Sequence, residues 1–210
     1  MMDEKAESDP KGKFRRAEQR IRRHFPNHLP PLLALTDPKR TPDPTELARR
    51  LPRGCGLVYR HFGSDNRLTI AEEIAEIAKA RGLCFLIGND PDLARQTNAD
   101  GVHWPETQMA SARKWRDSFY IMTCAAHSRS ALARAERLPL DAALVSTIFM
   151  SRSPTATPPL GTTRARSLSR KCRLPVYALG GIRARNISRI ASFAGAASID
   201  GISDAYTARI

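Results

Sequence analysis

Short apolar runs alternate with amphipathic stretches along most of this chain. The apolar runs have lengths usual for β-strands and are residues 32–36, 56–60, 83–87, 100–103, 119–124, 142–148, 176–179 and 197–202. The amphipathic stretches that follow them have helical spacing and are residues 44–51, 70–80, 92–97, 107–115, 128–138, 163–171, 185–193 and 204–209. Strands that are apolar on both faces belong to parallel sheets covered by helices. Eight such strand–helix units predict an α/β protein, a (β/α)8 TIM barrel, over residues 30–210.

The segment before the first strand predicts an extra N-terminal helix. Its apolar stripe at helical spacing lies among arginines and consists of Phe14, Ala17, Ile21 and Phe25. Pro26 ends the pattern, and the charged residues 1–13 are expected to form a short tail. We therefore predict a basic tail and helix over residues 1–29 that covers the bottom of the barrel. An arginine-rich arm for nucleic acid is the alternative interpretation.

The formal net charge of +13 raises the question of nucleic-acid binding. The basic residues lie on nearly every predicted helix, and no aromatic residues are interleaved with them to stack bases. We interpret the charge as a solvated outer ring of helices, with attraction of phosphorylated small molecules as the alternative. A nucleic-acid partner is not expected.

Cysteine usage and hydropathy indicate an intracellular protein. The four cysteines are Cys55, Cys84, Cys124 and Cys172. Because none of them has Cys-x-x-Cys spacing, we predict that they are reduced thiols in the core. No apolar run reaches the ~20 residues that a spanning helix needs, and the first 13 residues lack the apolar segment of a signal peptide. We expect no membrane partner and a cytoplasmic location.

Catalytic residues of a TIM barrel come from the C-terminal ends of its strands. The candidate substrate-binding residues that lie there or in the connection 149–162 are Arg60, Asn89, Asp90, Thr147, Ser151 and Ser153. Arg60 is notable, because a guanidinium after an apolar run is costly to bury unless an anion pairs with it. Asp90 has an alternative interpretation as the cap of the next helix. The long, proline-containing connection predicts either a mobile flap over a ligand or a disordered loop.

Two histidines lie at or just after the ends of predicted strands. His127, after the fifth strand, is the candidate catalytic residue, because imidazole takes up and releases protons near neutral pH. Alternatively, it bonds a neighbouring backbone carbonyl and helps to begin the helix at Ser128. His103, the last residue of the fourth predicted strand, is interpreted as a histidine of the barrel wall.

Two glycine-containing stretches near the C-terminus predict an anion site. Backbone amides that carry no Cβ can approach an anion closely, and TIM barrels commonly bind phosphate in the loops after strands 7 and 8. The residues predicted to form this phosphate cup are Gly180, Gly181, Gly201, Ile202 and Ser203.

Seven short motifs occur in order at the strand ends. They are Leu35-Thr36-Asp37, Arg60, Ile87-Gly88-Asn89-Asp90, Ala99-Asp100-Gly101-Val102-His103, Ala126-His127-Ser128, Ala178-Leu179-Gly180-Gly181-Ile182 and Gly201-Ile202-Ser203. In this order and spacing, over roughly residues 30–205, the chain resembles a divergent member of the thiamine phosphate synthase and thiazole tautomerase (TenI-type) superfamily of TIM barrels. The resemblance implies a small, phosphorylated, heteroaromatic ligand and allows a homodimer.

The chain departs from the synthase pattern at the expected ligands of pyrophosphate and Mg²⁺. Synthases carry Gln-x-Arg-x-Lys on strand 2, where this chain has Val58, Arg60 and Phe62. They carry a Mg²⁺-binding Asp after strand 4, where this chain has residues 106–108. The resemblance therefore implies a tautomerase-like proton transfer on a thiazole phosphate, with no cofactor and no metal site.

Two alternatives to the tautomerase interpretation are kept. One is a thiamine phosphate synthase that joins a pyrimidine pyrophosphate to a thiazole phosphate, with Glu106 and Arg152 replacing lost ligands and with Mg²⁺ required. The other is a non-catalytic barrel that binds a phosphorylated ligand.

Overall fold

Eight parallel strands close into a barrel in a computed structural model, which describes residues 9–153 and 157–207. The strands are β1 Leu32–Leu35, β2 Gly56–Tyr59, β3 Cys84–Gly88, β4 Gly101–Trp104, β5 Ile121–Ala126, β6 Ala142–Val145, β7 Val176–Ala178 and β8 Gly195–Ser198. Each strand pairs with the next in chain order, and β8 pairs with β1 to close the barrel. The predicted (β/α)8 fold is confirmed.

Helices follow the strands and form the outer layer. They are α1 Pro10–Arg22, α2 Pro44–Arg50, α3 Arg67–Arg81, α4 Pro91–Gln96, α5 Ala112–Trp115, α6 Arg129–Ala135, α7 Gly161–Lys171 and α8 Asp200–Thr207. Short 3-10 turns cover Glu106–Ser111, Arg116–Ser118 and Ile187–Arg189. Asp43 and Asp90 cap α2 and α4, each followed by a proline at the first helical position, which is a typical helix start.

The last strand differs from its predicted range of 197–202. It lies at Gly195–Ser198 because glycine and alanine are the residues that fit there: a Cβ at Gly195 would come within 2.6 Å of the Tyr177 ring. The final helix consequently begins at Asp200, not at residue 204. The helix predicted over 185–193 is reduced to a 3-10 turn, and the one over 107–115 is mostly a 3-10 turn.

Helix α1 packs against α8 and the Ile187–Arg189 turn. Its buried face carries Phe14 and Ile21, as the apolar stripe predicts. Phe25 packs on Tyr177 with ring centroids 4.9 Å apart, and the Tyr177 hydroxyl donates to the Pro30 carbonyl at 2.6 Å. The helix begins at Pro10, so the predicted tail is shorter than residues 1–13, and residues 1–8 lie outside the described part.

The cysteines are free thiols, with Cys55 and Cys124 buried. Burial raises the pKa of Cys124 to about 12, and that of Cys55 still further, so neither ionises near neutral pH. Within the described ranges, none of the helices combines the length and the apolar character that crossing a membrane requires.

Candidate active site

A cavity of about 990 Å³ opens at the C-terminal ends of the strands, and the segment that follows each of the eight strands contributes to its lining. Most of the predicted site residues meet there. Those that line the cavity are Arg60, Asn89, His127, Thr147, Ser151, Ser153, Gly180, Gly181 and Gly201. Three others, Asp90, Ile202 and Ser203, do not line it.

Asp90 serves the structure of its own loop. One carboxylate oxygen accepts the Leu93 N–H at 3.0 Å and caps α4, and the other pairs with the Arg67 guanidinium. Arg67 in turn lies over the Phe62 ring, 5.4 Å from its centroid. The alternative interpretation of Asp90 as a helix cap is therefore confirmed, whereas its role in binding substrate stays a prediction.

Ile202 and Ser203 lie inside α8 because β8 ends earlier than its predicted limit. The Ile202 side chain is fully buried, and neither Ile202 nor Ser203 lines the cavity; their role in binding phosphate through backbone amides stays a prediction. The residues that take their place at the cavity are Ser198, Ile199 and Asp200. A serine that accepts the N–H three residues later, here at 2.8 Å, is a helix-capping signal that could have identified this boundary.

Gly180 and Gly181 both adopt the left-handed backbone region, with φ of +94° and +67°. A Cβ on Gly181 would come within 2.4 Å of the Met150 carbonyl oxygen. A Cβ on Gly201 would come within 2.1 Å of the Ile182 carbonyl oxygen. The three glycines thus let the loops after β6, β7 and β8 approach one another at the edge of the cavity.

The connection predicted as a flap is joined to the barrel on both sides of residues 154–156, which lie outside the described part. On one side, the Phe149 N–H donates to the Gly180 carbonyl at 3.0 Å. On the other side, the Leu160 N–H donates to the Thr147 carbonyl at 2.8 Å. Residues 150–153 line the cavity, and Met150 is 85% exposed.

Arg60 places a guanidinium in the cavity lining without a carboxylate partner. Its Nε donates to the Thr36 carbonyl at 3.1 Å, and its backbone N–H donates to the Thr36 hydroxyl at 2.9 Å. Among the ion pairs of the described residues, none includes Arg60. Desolvation by burial lowers the pKa of Arg60, although the Asp37 carboxylate acts in the opposite direction. A partly buried cation of this kind favours an anionic ligand.

His127 is exposed at the edge of the cavity, where the Ser146 hydroxyl lies 3.0 Å from its Nδ1. Its backbone N–H donates to a Glu106 carboxylate oxygen at 2.8 Å. The start of α6 is capped by Ser128, whose Oγ accepts the Ala131 N–H at 3.0 Å. The imidazole is therefore not the group that begins the helix. Ser146, which the sequence interpretation did not include, orients it.

His103 is buried in the wall of the cavity, with Nδ1 2.9 Å from the Thr123 hydroxyl. Desolvation lowers its pKa to about 3, and the charges of Arg60 and His127 act in the same direction. His103 is therefore uncharged near neutral pH.

This depressed pKa predicts an acid-sensitive fold. In the unfolded chain a histidine takes up a proton as the pH falls below about 6.5, whereas folded His103 takes one up only near pH 3. Because the unfolded state binds more protons between these pH values, the free energy of unfolding decreases as the pH is lowered through this range. Urea unfolding at pH 7, 5.5 and 4 measures the loss. We expect His103→Gln, which retains a hydrogen-bonding side chain beside Thr123, to lose less stability over this range than the unmodified protein. Equal losses would contradict the assignment.

A chain of ion pairs borders the cavity between the β1, β7 and β8 loops. Arg40 contacts Asp37 at 3.3 Å and Asp200 at 3.5 Å. Arg183 contacts the other oxygen of Asp200 at 3.0 Å and Asp204 at 2.6 Å. Partial burial alone would raise the pKa of Asp37, but the Arg40 guanidinium and the backbone amides outweigh it and lower that pKa.

The residues present do not fit the Mg²⁺ site that the synthase pattern requires. Glu106, the substitute ligand of the synthase alternative, pairs with Arg134 at 2.8 Å and does not line the cavity. The lining carboxylates are Asp37 and Asp200, and both are bound to arginines. Among residues 9–153 and 157–207, no group of three or more His, Cys, Asp or Glu side chains is arranged to hold a metal ion.

Comparison with known proteins assigns the chain to a family. The family described as thiamine monophosphate synthase matches residues 34–205. A candidate thiamine-phosphate synthase 2 of Aquifex aeolicus is 32% identical over 181 residues, covering 83% of this chain and 97% of that protein. A thiamine-phosphate synthase of Alcanivorax borkumensis is 30% identical over 179 residues, covering 80% of this chain and 81% of that protein.

A solved structure supports the same fold. Thiamine phosphate pyrophosphorylase from Pyrococcus furiosus superposes with a TM-score of 0.72 at 17% identity, covering 86% of this chain and 93% of that one. The family match spans the whole barrel from β1 to α8. The chain belongs to the thiamine monophosphate synthase family.

Proposed function

We propose that the protein acts on a thiazole phosphate by moving a proton on its ring, and that it does not join this compound to a pyrimidine pyrophosphate. The observation that carries the proposal is the contrast between His127 and the carboxylates. His127 presents a titratable group to the cavity, whereas Asp90 and Glu106, the carboxylates that a metal-dependent condensation would use, are bound to arginines away from it.

The proposed reaction is a tautomerisation, in which atoms and electrons are conserved within the ligand. The His127 imidazole takes a proton from a ring carbon, the electron pair shifts within the ring, and the imidazolium returns a proton to a second ring atom. The Ser146 hydroxyl beside Nδ1 holds the imidazole in one orientation, so that Nε2 is the nitrogen available to the ligand. His103, being neutral, contributes a hydrogen-bonding wall and no second acid.

The ligand in this proposal is anionic at two ends. Its phosphate would accept backbone N–H groups near Gly180, Gly181 and Gly201. Its other acidic group would pair with Arg60, the partly buried guanidinium that forms no ion pair with a carboxylate among the described residues. A cavity of about 990 Å³ has room for a single-ring phosphate ester.

A second candidate function, thiamine phosphate synthesis, is favoured by one observation, the names of the relatives in Aquifex aeolicus and Alcanivorax borkumensis. It would require Glu106 to leave Arg134 and turn toward the cavity. Mg²⁺ would be needed under this alternative alone. A homodimer and a cytoplasmic location stay predictions from the sequence.

Two assays run side by side separate the candidates. With the purified protein, we expect accelerated proton shift on a thiazole carboxylate phosphate that is insensitive to a chelator. We expect no thiamine phosphate from thiazole phosphate, pyrimidine pyrophosphate and Mg²⁺. Mg²⁺-dependent condensation that Glu106→Gln abolishes would replace the proposal by the second candidate. Tight binding without either reaction would favour the non-catalytic barrel.

A further inference from the structure

Asp200 holds two arginines together at the edge of the cavity. Its two oxygens face different loops: one pairs with Arg40 after β1, and the other pairs with Arg183 after β7. All three side chains are about three-quarters buried, at 24%, 23% and 27% exposure respectively. Two guanidinium groups that converge on one carboxylate can also bind a phosphate, because carboxylate and phosphate oxygens accept the same paired N–H donors.

The position of Asp200 makes this arrangement unusual. Asp200 is the first residue of α8, where the helix dipole and free amides attract an anion, and it is directly followed by Gly201 of the proposed phosphate cup. Its carboxylate is not needed to cap the helix, because the Ser198 hydroxyl already accepts the Gly201 N–H. The chain therefore supplies its own anion at the place where the ligand's phosphate is expected.

We propose that Asp200 is a specificity-determining residue that competes with the ligand's phosphate for Arg40 and Arg183. The proposal rests on the phosphate cup of the proposed function. Inorganic phosphate must displace the carboxylate and gains little else, so it binds weakly. A ligand that also contacts Arg60 and the walls of the cavity offsets this cost. Asp200 thus lowers the affinity of the phosphate cup for free inorganic phosphate.

The test measures binding of inorganic phosphate by calorimetry to the unmodified protein and to Asp200→Asn. The substitution removes the competing charge but keeps the shape of the side chain, and we expect affinity to rise about tenfold or more. Asp204→Asn is the matched control. It removes the same charge from the other partner of Arg183, but Asp204 is 62% exposed and does not line the cavity, so we expect a change of less than about threefold.

A double variant checks the direction of the effect. In Asp200→Asn/Arg183→Gln, the affinity for inorganic phosphate should return to that of the unmodified protein or fall below it. The reason is that Arg183, which Asp200→Asn makes available to the phosphate, is absent from the double variant. Unchanged or weaker binding in Asp200→Asn would mean that the carboxylate positions the arginines, and equal gains in both single variants would mean that net charge alone acts. Either result overturns the inference.

The same titrations repeated with thiazole phosphate separate this inference from the function on which it rests. Thiazole phosphate binding without the expected Asp200→Asn effect refutes only the competing role of Asp200. If no variant binds either compound, the phosphate cup and the inference both fail. Thermal denaturation of each variant confirms that it is folded before it is titrated.

Discussion

Replacing His127 with asparagine is expected to lower tautomerase turnover roughly 100-fold or more and to change phosphate-ester binding little. Asparagine has a similar reach and keeps a polar contact toward Ser146, but it cannot carry a proton. The backbone N–H that donates to Glu106 is retained, so the loop before α6 should keep its position. Steady-state turnover and calorimetric binding, measured on the same preparation, give the two quantities.

Two further variants make this result specific. Ser146→Ala removes the hydroxyl that orients the imidazole, and we expect a loss of turnover smaller than that of His127→Asn. His103→Gln changes the neutral histidine of the wall and should lose far less turnover than His127→Asn. Full turnover in His127→Asn, or a wild-type protein that never accelerates the proton shift, would leave the ligand-binding barrel as the better account.

The second large effect is expected at Arg60. Arg60→Met should weaken binding of the thiazole carboxylate phosphate roughly 10- to 100-fold, the cost of one charge-assisted interaction. The same change should stabilise the empty protein by about 1 kcal/mol, a rise of about 2–4 °C in the unfolding midpoint, because a partly buried, desolvated cation is replaced by an apolar side chain of similar length.

The prediction is specific because Arg60→Met should lower the affinity for the ligand and at the same time raise the unfolding midpoint. The backbone N–H of residue 60 still donates to the Thr36 hydroxyl in the variant, so β2 keeps this contact with β1. Arg152→Met is the control, since Arg152 also lines the cavity but is exposed, and it should change stability little. Unchanged ligand affinity in Arg60→Met, or a lower midpoint, would show that Arg60 has a structural role.

The sequence was informative wherever the chain buries a strand on both faces. Runs such as Leu32–Leu35 and Ala142–Val145 are apolar throughout, which is typical of strands in a helix-covered parallel sheet. It was misleading at β8, whose small residues resemble neither a strand nor a helix. That strand is set by the Tyr177 ring, which fills the space that larger side chains would need.

The site was predicted less well than the fold, because pairing between distant residues decides which side chains are free. Asp90 is bound by Arg67 and Glu106 by Arg134, partners 23 and 28 residues away in sequence. Local sequence contains no signal for such pairs. For the same reason the link from Arg40 through Asp200 to Arg183 was not foreseen, although Arg40 and Arg183 stand in predicted loops and Asp200 lies in the predicted last strand.

The contact between α1 and α8 has a consequence for how the molecule is made. Phe14 packs near Tyr206, and β8 must pair with β1 before the barrel is closed. During synthesis, α1 and most of the barrel are translated first, but Ser198, Asp200 and Gly201 leave the ribosome with β8 and α8. A nascent chain stalled before residue 195 lacks the barrel closure and Gly201 of the predicted phosphate cup. If the cup binds phosphate as proposed, nascent chains that have not passed this point would not sequester the ligand.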